Sequence, residues 1–181
     1  MIGLGLLTCQ DAPVRCFMSS PQFHSGIDPD TYRKVCSQFA TGVAVATVRA
    51  ADGTPHGLTV SSFTPVSIDP PLILICIDFR CNAIEHFRAG PFFAVNILTD
   101  GQQALSVTFA AKPEGRFEGV DWMAGETGAP RLTGALATIE CRLERVLDVG
   151  DHALIFGEVV EARVYGGRPL LYFDRDYRAM R

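Results

Sequence analysis

Polar and apolar positions divide the chain into strand-length and helix-length pieces. In residues 58–63, Leu58 and Val60 point one way while Thr59 and Ser61 point the other, the alternation of a half-buried strand. A connection marked by Pro65, Asp69, Pro70 and Pro71 follows. Residues 72–77 are then an unbroken apolar run rich in β-branched side chains, which predicts a strand covered on both faces. Upstream, Asp28-Pro29-Asp30 opens a helix, with Asp28 as N-cap and Pro29 as first helical residue. Tyr32, Val35, Cys36 and Phe39 recur at helical spacing, and Gly42 is expected to end that helix. Residues 43–48 read as the first strand, and Ala51-Asp52-Gly53 as the hairpin turn after it.

Downstream, the pattern predicts a short helix over 83–88 with Cys81 or Asn82 at its start. A strand over 91–98 holding Asn96 and a helix over 102–110 come next. Residues 112–127 read as a loop carrying Arg116 and Trp122. Segments 135–147 and 153–164 form a long hairpin around Val149-Gly150-Asp151-His152, and 169–172 is a last short strand. Five to seven strands are therefore expected, joined by hairpins more than by helical crossovers. That favours a small antiparallel barrel decorated by helices over a doubly wound sheet. Residues 1–26 are weakly patterned and are expected to be a poorly ordered extension of a domain spanning 27–181. Their apolar start lacks a preceding Lys or Arg and makes a poor signal peptide.

Composition narrows the class. The chain has 181 residues, 48% of them hydrophobic and 20% charged, which fits one globular domain with a sizeable core. The net charge of −4 and the lack of a basic block argue against nucleic acid as a partner. No apolar run approaches the roughly 20 residues of a membrane span. Six cysteines occur without a C-x-x-C pair, which reads as reduced thiols in a cytoplasm. Cys and His do not recur at metal-ligand spacing, and His24, His56, His86 and His152 are scattered.

Two features carry candidate chemistry. Thr59, Ser61 and Ser62 set small hydroxyls beside a buried strand, a surface suited to a flat, phosphate-bearing ligand. The plainer reading is the polar outer face of an ordinary strand. Residues 78–82, Asp-Phe-Arg-Cys-Asn, lead from a strand into a helix start, where amides and the helix dipole favour an anion. Ser61 and Ser62 are not preceded by G-x, so a nucleophile-elbow hydrolase is poorly supported.

The segments FATGVAVAT, HGLTVSSFTPVSIDPPL and FFAVNIL, with GDH and FGEVV in the last hairpin, occur in this order. Together they resemble the flavin reductase-like proteins with an FMN-binding split barrel, over residues 28–177. Within that family the chain looks most like the reductase components of two-component flavin monooxygenases. The resemblance implies a mainly β, Greek-key-like, six-stranded split barrel that forms a homodimer, with flavin in a groove at the dimer interface. It implies that Thr59, Val60, Ser61 and Ser62 line the flavin. It also implies that Asp78, Arg80, Cys81, Asn82 and Ala83 hold the ribityl phosphate, helped by Phe109, Ala110 and Arg116. His152 is expected to face the nicotinamide as the catalytic candidate, and Tyr177 to close the site. Relatives commonly carry serine and arginine where this chain has Cys81 and Asn82, and a thiol is the weaker donor.

The implied reaction is hydride transfer from NADH or NADPH to FMN or FAD. Reduced flavin then diffuses to a partner flavin-dependent monooxygenase. Other readings stay open at this point. His152 can be a turn histidine held by Asp151, Tyr177 a packing residue, Arg116 a solvated loop charge and Cys81 a reactive thiol. Asn96, polar inside an apolar strand, reads as structural. The protein as a whole can instead be a flavin-binding electron carrier without its own NAD(P)H activity, or a reductase of a bound non-flavin substrate such as a corrinoid.

Overall fold

The computed structural model describes residues 26–111 and 115–180. The expected N-terminal extension lies almost wholly outside them. Helix α1 (Pro29–Ser37) begins as its sequence dictates: the Asp28 carboxylate accepts from the Thr31 N–H at 2.9 Å, and Pro29 occupies the first turn. It ends at Ser37, short of Gly42, because Thr41–Gly42 already pair as strand β1. Among the described residues the apolar side chains of α1 and its exit stay open: Tyr32 and Val35 of the helix and Phe39 just beyond it are 63%, 67% and 77% exposed.

Next come β2 (Ala44–Arg49), β3 (Pro55–Val60), β4 (Thr64–Ile68), β5 (Pro71–Asp78), α2 (Ile84–Ala89) and β6 (Phe92–Ile97). A 3-10 turn (Asp100–Gln102) runs into α3 (Gln103–Ala111). The chain closes with β7 (Trp122–Ala124), β8 (Pro130–Leu132), β9 (Ala137–Val149), β10 (His152–Val164), β11 (Leu170–Phe173) and β12 (Asp176–Ala179). The described residues thus form twelve strands rather than five to seven. The additional ones, among them β1, β4, β7, β8 and β12, are two to five residues long and carry little periodicity of their own. The stretch read as a loop contains one of them, β7, which pairs with β8.

Seven strands make one antiparallel sheet in the order β3-β2-β6-β9-β10-β5-β4. The sheet wraps a single apolar cluster. Ala44, Ala46 and Val48 of β2, Leu58 and Val60 of β3, and Ile73, Ile75 and Ile77 of β5 meet Phe93, Val95, Cys141 and Ile155 there. Helix α2 adds Ile84 and Phe87. Strand β5 is covered on one face, not two: Ile73, Ile75 and Ile77 are buried, whereas Leu72, Leu74 and Cys76 are half-buried. An antiparallel sheet needs only one dry face, so an apolar run does not by itself imply two. Gly157 lets β10 bear directly on this core, since a Cβ there would lie 2.5 Å from the Phe93 ring.

A second cluster lies on the other side of β2, where Val43 and Val45 pack with Phe109 of α3, Leu132 of β8 and Leu170 of β11. Asn96 joins the layers as a structural residue. Its amide donates to the Val45 carbonyl at 3.1 Å, and its oxygen accepts the Leu132 N–H at 2.8 Å. No helix among the described residues is long and apolar enough to cross a membrane.

Candidate active site

The C-terminal end of β5, the middle of β3 and the C-terminal half of α3 enclose a cavity of about 520 Å³. Its lining brings together eight of the residues singled out in the sequence: Thr59, Asp78, Arg80, Cys81, Asn82, Phe109, Ala110 and Arg116. The neighbouring elements fix this arrangement. Helix α3 lies close on β3 because Gly57 has no side chain; a Cβ there would stand 2.9 Å from both the Phe109 ring and the Ala46 carbonyl. The Thr59 hydroxyl then donates to the Ser106 carbonyl of α3 at 2.7 Å. Arg116 donates to the Gly57 carbonyl at 2.6 Å, which brings its guanidinium to the cavity wall.

Charge in the cavity is already organised. Arg80 grips Asp78 through Nε at 3.0 Å and Nη2 at 2.6 Å, and its backbone N–H also donates to Asp78 Oδ1 at 2.8 Å. These donors hold the Asp78 carboxyl well below the usual carboxylate range. The Cys81 N–H is engaged by the Asp78 carbonyl at 2.9 Å. The amides of Arg80 and Cys81 are therefore occupied, and the helix that follows is a short one starting at Ile84. An anion in this cavity meets the side chains of Arg116, Asn82 and Arg80 more than the row of open amides read from the sequence.

The other expected residues sit elsewhere. Val60 and Ala83 are buried in the main core, so their side chains do not face the cavity. Ser61 and Ser62 line a separate hollow of about 500 Å³ with Phe39, Thr41, Gly42 and Phe63. The Ser62 hydroxyl also clasps β5, accepting from the Cys76 N–H at 2.9 Å and donating to the Cys76 carbonyl at 3.1 Å. Tyr177 packs against Tyr172, and its hydroxyl lies 2.9 Å from Ser106 Oγ. His152 opens β10 at the hairpin corner, with its Nδ1 2.6 Å from Asp151 Oδ1. The Phe79 N–H donates to the Asp151 carbonyl at 3.0 Å, which ties this corner to the segment that lines the cavity.

Sequence reading missed one feature. His56 and His86 are not isolated: their rings stack with centroids 3.7 Å apart, at the wall of a second cavity of about 520 Å³. The two residues come from different elements, β3 and α2, so no local pattern signals the contact. A larger cavity of about 680 Å³, near Arg49 and Pro91, contains none of the expected residues. Among the described residues no group of three or more His, Cys, Asp or Glu is placed to hold a metal ion.

The donor set of the first cavity fits a flavin. The Arg116 guanidinium and the Asn82 amide suit a phosphate, and Arg80 adds a guanidinium already paired with Asp78. Thr59 offers its hydroxyl oxygen as an acceptor, and Ala110 and Ala111 leave room for a flat group. Residues 36–181 match the family model described as flavin reductase like domain. The flavin-dependent monooxygenase reductase subunit HsaB of Mycobacterium tuberculosis is 39% identical over 154 residues, covering 83% of this chain and 82% of that protein. The NADH-dependent FAD reductase of Streptomyces globisporus is 40% identical over 147 residues, covering 78% and 80% respectively. A solved structure, the NADH:FAD oxidoreductase SgcE6 of Streptomyces globisporus C-1027 in complex with NAD and FAD fragments, aligns with a TM-score of 0.80 at 37% identity. It covers 86% of this chain and 96% of that one.

Proposed function

We infer the function of this chain from the family to which it belongs, the flavin reductase-like proteins: it is an NAD(P)H:flavin oxidoreductase. The observation that carries the reading is the cavity between β3, β5 and α3. It collects Thr59, Arg80, Asn82 and Arg116 from three separate stretches of chain around space for one phosphate-bearing ligand. A bound flavin would supply the redox chemistry, as acceptor for the hydride of a nicotinamide. The side chains have binding and orienting work. Arg116, Asn82 and Arg80 hold the phosphate, Thr59 lines the ring side, and His152 directs the nicotinamide carboxamide from the corner beside Asp78. Transfer of a hydride asks no side chain to act as nucleophile or to move a proton.

Reduced flavin passes by diffusion to a separate flavin-dependent monooxygenase; the HsaB relative is named as the reductase subunit of such an enzyme. The protein acts as a homodimer of split barrels in the cytoplasm. The exposed Tyr32 and Val35 of α1, Phe39 just beyond it, and the exposed Val66 and Ile68 of β4 support self-association. The free thiols of Cys36, Cys76, Cys81 and Cys141 fit a reducing compartment. One assay matrix tests the activity: purified protein with NADH or NADPH against FMN or FAD. Nicotinamide oxidation that requires added flavin is expected. A protein that oxidises neither nicotinamide with either flavin would overturn the reading, and a yellow protein inert to both would point to an electron carrier. Light scattering with flavin present is expected to give the dimer mass, and a monomer mass would reject the assembly.

A further inference from the structure

The second cavity borders the first. Both are lined by Asn82 and Arg116, and they meet along adjacent residues of β3, with Gly57 in one and Leu58 in the other. The second is walled by the stacked His56 and His86 rings, by Phe117 and by Pro55, with Glu118 as its acidic group. It therefore offers flat π surfaces at one end and a guanidinium at the boundary with the phosphate region. A flavin mononucleotide ends at its single phosphate and has nothing to place there. A flavin dinucleotide continues from that phosphate into a second phosphate, a ribose and an adenine.

We propose that this cavity is the adenosine subsite for FAD, with adenine against the His56–His86 pair and the pyrophosphate crossing at Arg116 and Asn82. The proposal rests on the reading of the first cavity as the site of the ribityl phosphate. Stacking on an aromatic face suits any base, and the paired imidazole rings provide such a face. His56 is kept neutral to lower pH than a free histidine by burial first, and then by the nearby His86 and Arg116. The Glu118 carboxylate can accept from ribose hydroxyls or from the adenine amino group. The selectivity that follows is for FAD over FMN.

The adenosine of a nicotinamide dinucleotide has the same chemistry, so the test separates the two sources. Flavin fluorescence titration of the wild-type chain is expected to give a lower Kd for FAD than for FMN. AMP, used as the probe, is expected to weaken FAD binding competitively while leaving the KM for NADH unchanged. In His56→Ala and His86→Ala the ratio of the FMN to the FAD dissociation constant is expected to fall about tenfold, the scale of one lost base stack. The AMP competition uses wild-type protein and so stands even where a variant folds poorly. Equal affinity for the two flavins, or AMP raising the KM for NADH without touching FAD, would overturn the subsite. If FMN also fails to bind, it is the flavin reading of the first cavity that falls.

Discussion

His152 stands directly opposite Asp78 across the β10–β5 ladder. Two residues assigned to different ends of the reaction thus share one strand end. Asp78 anchors Arg80 at the cavity wall, and His152 is tethered to Asp151, whose carbonyl takes the Phe79 N–H. The β9–β10 corner and the 78–82 segment are consequently one unit, and a change at either is expected to be felt at the other.

Replacing Cys81 by serine tests the phosphate end. The thiol lines the cavity and is a weak donor where a hydroxyl is a good one. Cys81→Ser is expected to tighten FMN by about 0.5–1.5 kcal/mol, the net worth of one hydrogen bond. Fluorescence titration that finds unchanged or weaker binding removes Cys81 from the phosphate site.

Ser62 has a structural duty that its sequence context hides. Its hydroxyl closes both backbone groups of Cys76, joining the turn before β4 to β5. Ser62→Ala leaves that pair without a partner and is expected to cost about 1–2 kcal/mol of stability. Urea unfolding monitored by Trp122 fluorescence measures it, and an unchanged midpoint would show the clasp to be dispensable.

The parts legible in the sequence are those whose signal is local. Asp28-Pro29 marked the start of α1, and long apolar runs marked β5, β6 and the β9–β10 hairpin. The alternation over 58–63 marked β3 only in part, since that strand runs from Pro55 to Val60 and the proline-marked connection after it holds β4. The short strands escaped because pairing across the fold, not their own periodicity, makes them strands. Val60 is instructive. The alternation puts it on the same side as Leu58, hence in the core where it lies, while the family resemblance lists it among flavin-lining residues. The His56–His86 stack was invisible for another reason: thirty residues and two elements separate the rings, and only the packing of α2 brings them together.

That stack makes stability depend on pH in a definite direction. Burial, then His86, then Arg116 lower the folded-state pKa of His56, and Asp52 only partly opposes them. The unfolded chain takes up a proton near pH 6.5, the ordinary value for histidine, while the folded one resists. The contribution is therefore complete above about pH 6.5 and is lost as pH falls toward the lower folded value. Tm is expected to drop between about pH 7.5 and pH 5.5, and His56→Gln is expected to flatten that slope. An identical slope in the variant would assign the pH dependence to other groups.

His152 decides between an orienting role and a turn role. Gly150, at φ +61°, swings the chain round so that His152 opens β10 opposite Asp78, with its ring anchored by the Asp151 carboxylate. The anchor leaves Nε2 as the ring atom able to meet a carboxamide, and hydride transfer requires no proton from it. His152→Ala is expected to spare the flavin Kd and to lower kcat/KM for the nicotinamide threefold to tenfold, the scale of one positioning hydrogen bond of about 0.5–1.5 kcal/mol. His152→Asn, which keeps a polar donor in a smaller side chain, is expected to recover part of the loss. A residue that served the turn alone would behave differently: the alanine variant would melt earlier and keep normal kinetics at low temperature. Tm, the flavin Kd and both KM values, taken on one preparation, separate the outcomes, and a lowered Tm with unchanged kinetics excludes His152 from the reaction.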